Sequence, residues 1–293
     1  MEGKIIRGVG GFYFIRPIDG GEEVPCRARG IFKKQGITPM VGDWVEWSLL
    51  EDRTGVVEKI KPRSNWFIRP PIANVDTLLV VMSFHKPRYN LLILDRLLVM
   101  AEKGDAGAKI LMNKVDLATQ EDIDSIRAIY ENTYPCFLVN GLTGEGLEEI
   151  KAGLKGSSAA LVGPSGVGKS TLLNDLLPGA SASVGEISTK TERGKHTTRH
   201  VEIFSIQEDT DLFDTPGFTS FDTVGEESRE LASCYPDMIK WSSQCRFHNC
   251  QHLNEPGCKV REALEEGWLP RSRYESYRQQ MDELMTKERN KYS

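Results

Sequence analysis

The sequence predicts a multidomain α/β protein: a small N-terminal β-barrel, a parallel-sheet domain with helices on both faces, and a C-terminal helical unit held by metal. Three observations carry this. Residues 3–61 are rich in Gly and in short alternating runs. From Val75 onward strand-like and helix-like segments take turns. Beyond Gly217 no strand run is evident, while three cysteines gather between Cys245 and Cys258. Alternating runs broken by turn clusters are the pattern of a small antiparallel barrel, and strand–helix alternation implies a parallel sheet.

In the first unit, residues 11–15 and 43–47 alternate around turn clusters such as Asp19-Gly20-Gly21. Residues 62–65 and then Arg69-Pro70-Pro71 mark its turn-rich exit. In the second unit Thr77–Ser83 reads as a buried strand, Leu91–Lys103 as a helix, 109–112 as a strand, 121–130 as a helix, Cys136–Val139 as a strand and Leu147–Leu154 as a helix. Residues 155–158 read as a flexible joint. Residues 159–162 form a strand before a Gly-rich loop, 169–177 open a helix, and 201–206 and 211–213 supply two more strands. Helices are expected over 226–233, 259–264 and 274–287.

The chain has 293 residues, a formal net charge of -5 and six cysteines. That charge argues against a globally basic nucleic-acid binder and leaves only local patches for a phosphate-rich partner. Six cysteines are too sparse for a disulfide scaffold. The longest apolar runs fall well short of the ~20 residues that span a bilayer, so no membrane is expected. Met1-Glu2-Gly3-Lys4 lacks the apolar stretch of a signal peptide, and the cytoplasm is the expected location.

Gly163-Pro164-Ser165-Gly166-Val167-Gly168-Lys169-Ser170, with Thr171 next, matches a phosphate-binding loop between a strand and a helix. Its backbone N–H groups would surround a polyphosphate, Lys169 would neutralise the β and γ phosphates, and Ser170 would place its hydroxyl on Mg²⁺. Asp214-Thr215-Pro216-Gly217 ends a later strand, where Asp214 can hold the metal through water and the Gly217 amide can sense the γ-phosphate.

Asn113-Lys114-Val115-Asp116 has the residue types that read guanine. One carboxylate, Asp116, can accept from both N1–H and the exocyclic amine, Asn113 would support the loop and base edge, and the Lys114 stem would lie over the ring. Asn140-Gly141 stands where a backbone N–H would meet the guanine carbonyl. This guanine signature precedes the phosphate loop, the reverse of the usual chain order, so the domain reads as circularly permuted.

In Gly194-Lys195-His196-Thr197-Thr198, either threonine can complete the Mg²⁺ shell, or the stretch is a solvated loop. Both are retained as nucleotide contacts, with Thr198 set against the metal. Phe218 follows Gly217 where many GTPases place a water-orienting glutamine, and His196 is the candidate to act in its stead. A histidine contacting RNA or solvent is the alternative. The expected catalytic set is therefore His196, Lys169 and Thr198.

Between Cys245 and Cys258 lie three thiols and two histidines, a set that suits one tetrahedral structural Zn²⁺. Cys245, Cys250, His252 and Cys258 are the expected ligands, with His248 as the substitute. Cys26, Cys136 and Cys234 stand apart and read as buried thiols. In the barrel, Arg7, Arg27, Arg29, Lys33 and Lys34 with Tyr13 and Phe14 could form a basic and aromatic RNA-binding face, or be solvated charges over core aromatics.

On the permuted order of these motifs, the Gly194 to Thr198 loop and the cysteine cluster, nearly the whole chain resembles the bacterial RsgA family, also called YjeQ or YloQ. Asn140-Gly141 departs from the Ser-Ala that GTPases often carry there. The resemblance implies an N-terminal OB-fold (1–64) that binds RNA, a circularly permuted P-loop GTPase domain (65–223) and a C-terminal helical zinc-binding domain (224–293). It also implies a GTP hydrolase that acts on the small ribosomal subunit and its rRNA in late maturation, is stimulated by the subunit, and works with Mg²⁺ and GTP or GDP; a monomer is the default expectation. An RNA-binding scaffold whose nucleotide is not turned over is the second reading, favoured by Phe218. A nucleotide kinase is disfavoured by Asn113 to Asp116.

Overall fold

The computed structural model describes residues 1–177, 201–215 and 227–291. Five strands close the N-terminal barrel: β1 (Glu2–Val9), β2 (Phe12–Pro17), β3 (Val24–Ala28), β4 (Trp44–Leu49) and β5 (Gly55–Ile60), with a short helix α1 (Gly30–Lys34) after β3. The seam between β3 and β5 is parallel, a departure from the antiparallel barrel the alternating runs predict. The path through α1 and β4 is long enough for the crossover that parallel neighbours need. Ile5, Ile15, Cys26, Val45, Trp47 and Val57 fill the barrel. Ile5 and Ile6 are both buried because successive residues face opposite ways and β1 is covered on both sides, by the barrel core and by the core of the next unit.

The same rule divides the expected basic and aromatic face. Tyr13 packs against the barrel core and Phe14 against the neighbouring one. The Arg7 guanidinium lies 4.0 Å from the Phe14 ring and is bonded to Glu23, whereas Arg27 sits over Phe12 at 4.6 Å. Lys33 and Lys34, at the end of α1, are exposed.

A hairpin of β6 (Trp66–Phe67) and β7 (Ile72–Ala73) follows, each strand too short to show a period in the sequence. Six strands then form the second sheet: β8 (Thr77–Ser83), β9 (Gly107–Asn113), β10 (Cys136–Val139), β11 (Ser158–Val162), β12 (Glu202–Gln207) and β13 (Thr210–Asp214), in the order β10-β9-β8-β11-β13-β12. Every neighbouring pair is parallel except β12 with β13. Leu78, Val80 and Met82 face a core shared with α2 (Leu91–Lys103) and α3 (Gln120–Tyr130). Leu79 and Val81 face a second core under α4 (Leu147–Leu154) and α5 (Lys169–Leu176). Cover on both faces is why β8 reads as an unbroken apolar run. Asn90 caps α2 and a Thr119–Asp122 capping box starts α3.

The joint expected to be flexible at residues 155–158 is instead bonded into the sheet. Gly156 N–H donates to Thr210 Oγ1 at 2.9 Å and Ser158 N–H to the Asp76 carboxylate at 2.7 Å.

The C-terminal unit holds a 3₁₀ turn (Ser228–Cys234) where a helix is predicted over 226–233, then α6 (Pro236–Ser242), α7 (Lys259–Glu265) and α8 (Arg271–Lys291). The α6 segment is missing from the sequence reading. Its core includes Val99 of α2, so the unit packs directly on the second domain. At that junction Arg273 is fully buried. It donates to Asp95 at 2.5 Å and to both Asp237 oxygens at 2.9 and 3.0 Å, beneath the Tyr235 ring at 4.6 Å. Tyr130 Oη donates to the same Asp95 oxygen at 2.7 Å. Burial pushes Asp95 up from the usual carboxylate range and Arg273 acts against that rise, so losing the guanidinium leaves a fully buried carboxyl group without its counter-charge. Arg273→Met is expected to destabilise the junction by about 3–5 kcal/mol, the typical result of breaking a buried pair. A urea titration reads this, and an unchanged midpoint would show that the pair contributes nothing.

Among the described residues no helix is long and apolar enough to cross a membrane.

Candidate functional site

The carboxyl ends of parallel strands leave their loops on one edge of the sheet, and the predicted nucleotide residues emerge there. From β11 the chain enters the phosphate loop with Gly163 at φ +149, Gly166 at +82 and Gly168 at +100. Two of these admit no side chain. A Cβ on Gly163 would lie 2.2 Å from Val81 O, and one on Gly168 would lie 2.3 Å from Asn113 Nδ2. Lys169, the first residue of α5, is 7% exposed and donates to Gly163 O and Pro164 O at 2.8 Å each. Burial lowers its ammonium to about 8, and Asp214 nearby acts against that fall. Ser165, Gly166 and Ser170 are exposed, Pro164 and Thr171 half-buried, and Val167 is buried in the core under α5.

Asn113 ends β9 and connects three loops. Its Nδ2 donates to Val167 O at 2.8 Å, while Oδ1 accepts from Lys114 N–H at 2.8 Å and from Gly141 N–H at 3.0 Å. The 113–117 turn, the Gly-rich loop and the 140–144 turn thus share one amide side chain. Lys114 is left-handed, with φ +62, and its ammonium donates to His85 O, Lys86 O and Gly166 O. Asp116 stands exposed in the 3₁₀ turn Val115–Leu117. Asn140 is buried, and its Oδ1 accepts from Leu142 N–H at 2.9 Å. The carbonyls of His85 and Lys86 are site-building groups that sequence reasoning missed, because a backbone acceptor leaves no residue signature.

Asp214 is 8% exposed at the end of β13, and Thr215 Oγ1 donates to Leu161 O beside it. His196, Thr197, Thr198, Gly217 and Phe218 lie outside the described residues.

The second cluster lies in the C-terminal unit. The ligating atoms of Cys245, Cys250, His252 and Cys258 all fall within 4.8 Å of one another and could hold one metal ion. His252 Nδ1 is 3.6 Å from Cys245 Sγ and 3.4 Å from Cys258 Sγ. A tetrahedral site with usual Zn–S and Zn–N bonds has S···N edges of about 3.5 Å, so the donor set fits. His248 is exposed and outside the cluster. Burial pushes the Cys250 thiol up to about 12, so a thiolate there needs a cation for company. Supporting bonds orient the ligands: Lys259 N–H donates to Cys245 Sγ at 3.3 Å, Tyr274 Oη to His252 O at 2.7 Å, and Glu255 accepts from three backbone N–H groups. Cys26 and Cys234 are buried and Cys136 half-buried, each away from the cluster.

This arrangement matches known proteins along its whole length. Residues 2–57 match the RsgA N-terminal domain and residues 60–224 the RsgA GTPase. The chain belongs to the RsgA GTPase family. The small ribosomal subunit biogenesis GTPase RsgA of Agathobacter rectalis is 43% identical over 304 residues, covering 100% of both chains. That of Alkaliphilus metalliredigens is 42% identical over 286 residues, covering 97% of each. Among solved structures, YjeQ from Thermotoga maritima has a TM-score of 0.83 at 32% identity over 97% of this chain and 98% of its own. YloQ, a circularly permuted GTPase, has a TM-score of 0.79 at 35% identity over 98% and 95%. The family makes this chain a GTP hydrolase, with an OB-like barrel before a circularly permuted GTPase domain.

Proposed function

We propose that this GTPase binds the small ribosomal subunit and its rRNA, hydrolyses GTP during late maturation of the subunit, and is stimulated by it. The observation that carries the reading is the permuted site itself: one side chain, Asn113, joins the base-reading turn to the phosphate loop, within a chain that resembles the curated biogenesis GTPases from end to end. Asp116 selects guanine, Lys114 covers the ring, and Gly141 N–H is shared between Asn113 and the base carbonyl. Gly163 to Thr171 cradle the phosphates. Ser170, Asp214 and Thr198 would hold Mg²⁺, whose charge offsets that of the polyphosphate. His196 would position the attacking water, Thr197 and Thr198 would contact the nucleotide, and the Gly217 amide would sense the γ-phosphate. Cys245, Cys250, His252 and Cys258 hold one structural Zn²⁺.

The barrel, residues 1–64, supplies RNA contacts, residues 65–223 the GTPase and 224–293 the zinc unit. The protein is proposed to act as a cytoplasmic monomer. Multiple-turnover phosphate release, measured with and without purified small subunits, tests the proposal. Stimulation by at least about tenfold is expected, since a partner that completes a GTPase site can supply far more. Equal slow rates with tight subunit binding would instead favour a scaffold whose nucleotide is not turned over.

A further inference from the structure

Lys4 belongs to the barrel, yet its side chain ends inside the GTPase sheet. The residue is 4% exposed, and its ammonium donates to Ser158 Oγ at 2.9 Å and to Asp211 Oδ2 at 2.8 Å. Ser158 opens β11, Asp211 lies at the start of β13, and the two are register partners in the parallel ladder. The far end of β11 runs into Gly163 and the phosphate loop, and β13 ends on Asp214. One ammonium therefore ties the near ends of two strands whose far ends carry the two halves of the phosphate and metal site.

Other contacts make this a built junction. Arg16 of β2 donates to both Asp211 oxygens at 2.6 and 2.8 Å. Burial alone would raise the Asp211 carboxyl, but Lys4 and Arg16 hold it below its ordinary range, so the cluster is ionised. Lys4 also lies over the rings of Trp44 at 5.5 Å and Phe213 at 5.8 Å. On the barrel side, a Cβ on Gly42 would fall 2.9 Å from Phe213, so the barrel closes tightly on β13. By contrast, the ladder joining β1 to β12 is a single pair, Arg7 with Glu202. Side-chain charge thus joins the apolar contacts of Ile6, Phe14 and Val41 in seating the barrel.

We propose that Lys4 is a positioning residue of the GTPase centre, fixing the phosphate loop and Asp214 relative to one another and making turnover depend on a seated barrel. The proposal rests on the placing of Asp214 at the Mg²⁺ side of the site. Strands are stiff along their length, and misplacement by about 1 Å at a reacting centre costs roughly 10²-fold.

Lys4→Met keeps the apolar stem and removes the charge. With the full chain, kcat for GTP is expected to fall about tenfold and the Mg²⁺ half-saturation of fluorescent GTP-analogue binding to rise by a similar factor, while GDP affinity in EDTA changes by less than about twofold. Lys4→Arg should restore most of the loss. A role confined to stability would lower the unfolding midpoint and leave kcat and Mg²⁺ dependence alone, and that result overturns the proposal. Ser158→Ala keeps the ion pair and cuts only the tie to β11, so it remains informative if Lys4→Met fails to fold. It should shift Mg²⁺ half-saturation about threefold, the worth of one hydrogen bond, and no shift again overturns the proposal. Asp214→Asn separates the two layers of argument. If it leaves Mg²⁺ dependence intact, the placing of Asp214 is at fault, whatever Lys4→Met does.

Discussion

Asp116→Asn is expected to weaken GTP binding by about 10²- to 10⁴-fold and to admit XTP in its place. In the proposed site the carboxylate would accept from both guanine N1–H and the exocyclic amine, and two charge-assisted bonds at roughly 1.5–3 kcal/mol each set that range. An asparagine keeps one acceptor and turns the other into a donor, which suits the second carbonyl of xanthine. The turn should survive, because its backbone is held without the carboxylate: Lys114 N–H donates to Asn113 Oδ1 at 2.8 Å and Leu117 N–H to Lys114 O at 3.0 Å. Competition of GTP, XTP and ATP against a fluorescent GDP analogue measures the change. A variant that loses GTP and XTP equally would mean that Asp116 only shapes the loop.

Replacing Cys258 by Ser is expected to produce the other large effect, on the C-terminal unit. Structural zinc in small peptides supplies on the order of 10 kcal/mol of folding free energy, and one donor of four is a substantial part of that. The unit has a second source of order, since Val99 and the Arg273–Asp95 pair bind it to α2. A loss of several kcal/mol with partial retention of helix is therefore expected, larger than most single substitutions cause. The stacked rings of Trp241 and Trp268, 5.2 Å apart, provide a near-ultraviolet signal for the change. Stoichiometric zinc and a native unfolding curve in Cys258→Ser would remove this cysteine from the ligand set.

Much of both sites was legible because their chemistry is local in sequence. The phosphate loop is announced by glycines that the backbone requires, and Gly163 and Gly168 meet that requirement against Val81 O and Asn113 Nδ2. The Cys and His cluster is announced by spacing, and the fold brings Cys245, Cys250, His252 and Cys258 to within 4.8 Å of one another. Less legible were contributions with no side-chain pattern. His85 O and Lys86 O hold Lys114 through backbone carbonyls, and the β6–β7 hairpin is too short to have a period. The parallel β3–β5 seam depends on how the chain returns, which alternation alone does not specify.

By itself the sequence determined the order of motifs, the Gly-rich loop between strand and helix, the spacing of the Cys and His cluster and the alternation of strands and helices, because each rests on near neighbours along the chain. Only the tertiary structure decided which charges would be interior. Lys4, Arg273, Asp95 and Asp211 look like solvated residues in their own segments, since burial of a charge is tolerated only where a partner arrives from elsewhere. For Lys4 that partner is 207 residues away, and for Arg273 it is 178. How the C-terminal unit joins the second domain has no such local signature. The fold adds a standing connection through α2, and a corresponding one to the barrel through β11 and β13, because closely packed domains leave buried ions no other place to find their counter-charge.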